Sequence, residues 1–188
     1  MAWPTRPDNW REAAGPAQRA FARVAAVIGR SEPVTVTAAP EAVGDAQAML
    51  GPDVTVLAVA SNDAWMRDIG PTIVVDDHGE QRGVDWEFNA WGGERGGLYA
   101  DWRRDDAMAA AVCSALGIAR YRAPFVLEGG SIHSDGEGTL LVTEECLLHP
   151  NRNPSMSRPE IEVALRGFTG SETVIWLGLG VVDDETDG

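Results

Sequence analysis

The sequence predicts a mixed α/β protein built from a recurring strand–strand–helix–strand unit. Three observations predict it. Amphipathic helical segments alternate with short, apolar, β-branched runs. Two hairpins, at 72–88 and 131–143, interrupt that alternation. Each hairpin is followed by a helix, which places the helices beside the strands of a layered fold. The repeat shows in element order and not in residue identity.

In chain order, a helix is expected over 16–30, because Pro16 suits a first turn and Phe21, Val24, Ala25 and Ile28 recur at helical spacing. The β-branched run 33–38 reads as a strand. A second helix at 41–50 stops at Gly51-Pro52, and an apolar strand covers 54–59. A loop at 60–70 leads to a strand at 72–75, the turn Asp76-Asp77-His78-Gly79 and a returning strand at 83–88. Segment 89–97 is glycine-rich and irregular. A third helix at 102–117 carries Ala109, Val112, Cys113 and Leu116 on one face and stops at Gly117. The apolar run 123–127 leads into Glu128. A hairpin joins 131–133 to 139–143 across Asp135-Gly136-Glu137-Gly138. Ser157 and Glu160 have the spacing of a capping box for a helix reaching about Gly167. The last strand is 173–177. No linker divides the 188 residues, so a single domain is expected.

Asp and Glu number 29 against 15 Lys and Arg, a formal net charge of −14. That balance argues against a nucleic-acid partner, which needs a basic face. It suits a cationic small molecule, although the acidic tail at 183–187 accounts for much of it. No apolar run reaches the ~20 residues of a membrane span, and Met1-Ala2-Trp3-Pro4 is unlike a signal peptide. A cytoplasmic protein without a membrane partner is expected. Cys113 and Cys146 show no metal-ligand spacing.

Three stretches could carry chemistry. Asp63-Ala64-Trp65-Met66-Arg67-Asp68-Ile69-Gly70-Pro71 follows an apolar strand and gathers two carboxylates, a guanidinium and an indole. A carboxylate can grip a planar guanidinium through paired hydrogen bonds, and a tryptophan face can hold a cation. The same residues also fit an Arg67–Asp68 ion pair with Trp65 in the core. In Phe125-Val126-Leu127-Glu128-Gly129-Gly130 a half-buried carboxylate precedes two glycines that permit close approach, and its charge calls for a partner. Asn89-Ala90-Trp91-Gly92-Gly93 fits a pocket wall or a plain structural loop. His133, just beyond Glu128, is placed to face the same cleft. Neither cysteine suits a nucleophile: Cys113 lies on an apolar helix face, and the glutamates before Cys146 would raise its pKa.

Taken together, Trp65-Met66-Arg67-Asp68-Ile69-Gly70-Pro71-Thr72, Asn89–Gly93, Leu127–His133, Thr143–Leu148 with Asn151-Arg152-Asn153, and Asp184–Gly188 resemble, in order, five motifs of the agmatine deiminases in the guanidine-modifying superfamily. Met1-Ala2-Trp3-Pro4 resembles an internal segment of the same family. The resemblance implies a five-bladed α/β propeller (pentein). It implies Asp68 and Glu128 as catalytic carboxylates that hold the guanidinium, with Trp65 and Trp91 in the substrate pocket. It also implies hydrolysis of agmatine to N-carbamoylputrescine and ammonia through a Cys thiouronium intermediate, a step toward putrescine and the polyamines. No cofactor or metal is implied, and a homo-oligomer is expected of the full-length protein. In the family pattern the acid–base His and the nucleophilic Cys come after the Asp184–Gly188 segment. The resemblance therefore implies the N-terminal part of such an enzyme, clipped at the front as well, inactive on agmatine by itself and prone to self-associate. Within the superfamily, a peptidyl-arginine deiminase is the alternative; outside catalysis, a guanidinium-binding remnant is.

Overall fold

The computed structural model describes residues 1–187; Gly188, the last residue of the fifth motif, lies outside the described residues. In chain order the elements are α1 (Gly15–Ile28), β1 (Thr35–Ala38), α2 (Val43–Leu50), β2 (Thr55–Ala58), α3 (Met66–Ile69), β3 (Thr72–Val75), β4 (Gln81–Glu87), α4 (Gly93–Gly96), α5 (Arg103–Asp106), α6 (Met108–Leu116), β5 (Ala119–Val126), β6 (Ile132–Ser134), β7 (Thr139–Thr143), α7 (Glu144–Leu147), α8 (Arg158–Thr169) and β8 (Thr173–Leu177). The fold is mixed α/β. The chain packs as two compact units: Met1–Met66 with Arg103–Met108, and Arg67–Trp102 with the chain from Ala109 onward.

In the first unit, β1 and β2 pair in parallel with Thr35 opposite Thr55. α2 provides the crossover that a parallel pair requires. Phe21, Ala25 and Ile28 of α1 recur on one face and close over Trp3, Val36, Ala38, Ala46 and Leu50. Gly51, at φ +84°, ends α2 in a conformation a side chain would resist.

The second unit repeats one arrangement twice. β3 and β4 form an antiparallel hairpin, and β5 joins β4 in parallel after a helix. β6 and β7 form an antiparallel hairpin, and β8 joins β7 in parallel after α8. Both hairpin turns use the same device. Asp76 Oδ1 accepts the N–H groups of His78 and Glu80; Asp135 Oδ1 accepts those of Glu137 and Thr139. These are Asx turns, in which the side chain stands in for a backbone acceptor. The strand–strand–helix–strand repeat is thus real at the level of structure. One core joins the two sheets: Val84, Trp86, Phe125, Leu140, Val142, Ile161 and Leu165 are all buried in it. The capping box at Ser157 and Glu160 starts α8 as the spacing predicts.

Four expectations need correction. The loop at 60–70 contains the helical turn α3. The helix at 102–117 is two pieces: Asn62 Oδ1 accepts the N–H groups of Arg104 and Asp105, which makes α5 a separately capped turn. Leu116 is largely exposed and does not share the buried face of Ala109 and Cys113. The strand before Glu128 begins at Ala119, four residues earlier than its apolar run. Arg120 and Arg122 hide it in the sequence, because they serve the buried Asp85 carboxylate at 2.7 Å each.

Candidate functional site

An acidic pocket of about 250 Å³ opens in the second unit, lined by Arg67, Asp68, Trp91, Glu128, Gly130, Ser131, Asp184 and Thr186. Of the four residues expected at the site, three come together and one does not. Asp68, Glu128 and Trp91 line this pocket. Trp65 belongs to the first unit, where its indole N–H donates to Asp63 Oδ2 at 3.0 Å and its ring stacks on Trp10 with centroids 5.4 Å apart. Trp65 is 39% exposed, so it is not a core residue.

Asp68 stands on the single turn α3, just before the chain enters β3. Arg67 does not pair with it: the Arg67 guanidinium donates to the Ile132 carbonyl at 2.9 Å. Asp68 accepts instead the backbone N–H of Gly130 at 2.9 Å. The two glycines after Glu128 make that approach possible. A β-carbon on residue 129 would collide with the Arg67 carbonyl oxygen, and one on residue 130 would lie 2.6 Å from Asp68 Oδ1. Burial pushes the Asp68 carboxyl up to about 6. The Gly130 N–H opposes that rise, the Glu128 charge adds to it, Arg67 pulls it down and Asp184 adds a little more.

Glu128 is only 2% exposed, so it is fully buried and not half-buried as its sequence context suggested. The partner it requires is Arg152, also buried, whose Nε donates to Glu128 Oε1 at 2.7 Å. The Cys146 thiol faces Glu128 Oε2 at 3.4 Å. Burial, followed by the Glu128 charge, pushes that thiol far above its usual range. The cause therefore differs from the expected one, which was the adjacent glutamates. Burial likewise raises the Cys113 thiol. Neither cysteine can be a thiolate near neutral pH.

Trp91 is buried edge-on to Phe88, with centroids 5.1 Å apart at 87°. Ala90 and Trp91 both lie in the left-handed region, at φ 56° and 62°. Two successive non-glycine residues there are strained, and Asn89 holds them. Its Nδ2 donates to the Asn151 carbonyl at 2.9 Å, and its Oδ1 accepts from the Gly92 N–H at 3.1 Å. His133 turns away from the acidic pocket. It alternates with the buried Ile132 along β6 and lines a separate apolar hollow with Leu141, Leu177 and Leu179.

Sequence reasoning missed Asp184 and Thr186 in the lining, and it missed what Asn151-Arg152-Asn153 does. Asn151 anchors the Trp91 loop. Arg152 anchors Glu128. Asn153 exchanges two amide hydrogen bonds of 2.9 Å with the backbone of Val126, two residues before Glu128. The usable signal was the carboxylate itself: a glutamate at the end of an apolar run needs a buried cation nearby. Among the described residues there is no cluster of His, Cys, Asp and Glu that could hold a metal. No helix among them is long and apolar enough to cross a membrane.

Comparison with known proteins gives this pocket a context. The agmatine deiminase of Stutzerimonas stutzeri is 58% identical over 190 residues, and that of Pseudomonas aeruginosa strain LESB58 is 56% identical; each match covers 100% of this chain and 52% of the relative. The solved structure of the Enterococcus faecalis agmatine deiminase superposes with a TM-score of 0.97 at 48% identity, covering 100% of this chain and 52% of that one. The chain thus spans about half the length of the relatives it matches. The family described as Porphyromonas-type peptidyl-arginine deiminase matches residues 1–188, the whole chain, and the protein belongs to that family.

Proposed function

We propose that the acidic pocket is the guanidinium-binding part of an agmatine deiminase site. The observation that carries the reading is the gathering of Asp68, Glu128 and Asp184 around one small cavity walled by Trp91. Carboxylates at fixed positions match the planar, multi-donor face of a guanidinium. A pocket with this excess of negative charge selects a cation over a neutral urea. Asp68, at about 6, is ionised at neutral pH and can pair with the ligand.

In this reading Asp68 and Glu128 are the carboxylates that hold and orient the guanidinium, and Trp91 closes the pocket. The two strand–strand–helix–strand units are blades of a five-bladed α/β propeller. The reaction of the whole protein is hydrolysis of agmatine: water replaces one terminal amino group at the guanidinium carbon, giving N-carbamoylputrescine and ammonia. The attacking thiolate is neither Cys113 nor Cys146, since both are buried with raised pKa values. On this reading the described pocket binds agmatine, and ammonia release reads whether the chain by itself also turns it over.

Calorimetry of the chain with agmatine, with N-carbamoylputrescine as the neutral comparison, tests the reading. Saturable 1:1 binding of agmatine that is lost in Asp68→Asn supports it. Equal affinity for both ligands, or none for either, ends it. Ammonia release from agmatine by the chain alone would overturn the division between binding and chemistry. A blocked arginine amide in the same experiment separates agmatine from peptidyl-arginine recognition.

A further inference from the structure

Arg152 is the only buried arginine among the described residues, and it does not line the acidic pocket. It lies behind the lining, and its guanidinium is used on every side. Nε donates to Glu128 Oε1 at 2.7 Å, Nη1 to Asn151 Oδ1 at 2.7 Å and Nη2 to the Thr186 carbonyl at 3.0 Å. Asp187 Oδ2 lies 3.5 Å from Nη1. One planar cation thus ties together Glu128, the Asn151 turn that anchors the Trp91 loop, and the 184–187 segment that brings Asp184 and Thr186 to the wall.

Stability alone is a poor reason for such a residue. A buried ion pair is often no better than apolar side chains of the same volume, because desolvation offsets the attraction. What a guanidinium adds is geometry. Its donors lie in one plane at fixed angles, so binding one partner fixes where the others must be. An ammonium could neutralise Glu128, but it could not also reach Thr186 in a set direction. The Cys146 thiol holds the second oxygen of Glu128, leaving that carboxylate very little freedom.

Building on the guanidinium reading above, we propose that Arg152 is a positioning residue for guanidinium recognition. It acts through Glu128, fixing the carboxylate's direction toward the pocket, and it never touches the substrate.

The test is a double-mutant cycle in the 188-residue chain, Arg152→Lys with Glu128→Gln, read by agmatine calorimetry. R152K keeps the charge, and an unchanged amide NMR spectrum away from the pocket confirms that it folds. It is expected to weaken agmatine binding at least tenfold in the native background and by less than threefold when E128Q is already present. Equal losses in both backgrounds overturn the proposal, because a general structural role would act whether or not Glu128 is there. Should R152K not fold, the same cycle is run with Arg152→Gln, comparing R152Q with the native chain and R152Q/E128Q with E128Q, and the tenfold and threefold limits apply again.

A second readout needs no ligand. Three-bond couplings of the Glu128 side chain report one rotamer in the native chain and averaging in R152K; a single rotamer in R152K overturns the proposal. If the native chain does not bind agmatine at all, the guanidinium reading fails. The couplings then decide by themselves whether Arg152 fixes Glu128.

Discussion

The backbone N–H of Gly130 donates to Asp68 Oδ1 at 2.9 Å, and a β-carbon on residue 130 would lie 2.6 Å from that same oxygen. Gly130→Ala therefore pushes on the tip of a side chain, which can swing away. Gly129→Ala pushes on the Arg67 backbone carbonyl, which cannot. G130A is expected to lose about 1 kcal/mol of stability or less, yet to bind agmatine at least tenfold more weakly. G129A is expected to cost about 2–4 kcal/mol. Thermal unfolding and calorimetry of the two variants separate these effects, and equal stability losses would contradict this account of the Gly-Gly pair.

Agmatine binding is expected to depend on pH through Asp68. Burial holds this carboxyl at about 6 in the free protein, and only the ionised form can pair with a guanidinium. Affinity is therefore level above pH 7 and falls through pH 6, by up to about tenfold for each further unit of acid. The guanidinium itself stays protonated throughout. A profile with no break between pH 5 and 7 would remove Asp68 from the binding step.

The same shift makes Asp68 a liability to the fold in the absence of ligand. Its folded pKa of about 6 exceeds its ordinary value of 3.8. The folded chain thus holds this proton more tightly, and the resulting stability is present below about pH 4 and lost as pH rises through 6. Two pKa units correspond to about 3 kcal/mol as an upper figure. Asp68→Asn keeps an acceptor for the Gly130 N–H and removes the buried charge. It is expected to be more stable than the native chain at pH 8 and to lose that advantage by pH 4. Tm measured at both pH values checks the sign, and a D68N variant less stable at pH 8 would refute it.

Much of this was legible in the residues, for reasons that differ by element. β3 and β8 fall where their apolar alternation puts them, and α8 starts at its capping box, because in each case a local rule decides the outcome. The start of β5 was not legible. Arg120 and Arg122 look like a solvated loop until Asp85, thirty-five or more positions earlier, is found buried between them. Asp68, Glu128 and Trp91 stood out as unusual groups beside apolar runs or glycines. Arg152, Asp184 and Thr186 did not, since arginines and acidic tails are ordinary on a surface. Only the fold carries Arg152 inside, 24 positions along the chain from the carboxylate it serves.

Asp63 presents a comparable case in the first unit, and its stake is structural. Its carboxylate is buried and accepts five donors: Trp10 Nε1 and the Ala64 N–H on Oδ1, and Arg6, Asn9 and Trp65 Nε1 on Oδ2, all between 2.7 and 3.1 Å. Two of these donors are the indoles that stack on each other, so one carboxylate sets both the spacing and the tilt of the Trp10–Trp65 pair. Asp63→Asn keeps the shape but turns an NH₂ group toward donors and removes the charge opposite Arg6. The expected loss is about 2–4 kcal/mol, since a buried donor left without an acceptor carries its full desolvation cost. The stacked indoles should also couple optically, giving a paired positive and negative band in the circular dichroism of the native chain. In D63N that couplet should collapse at temperatures where the chain is still folded. A couplet that survives in D63N with an unchanged Tm would mean that the ring stacking, and not the shared carboxylate, holds Trp65 in place.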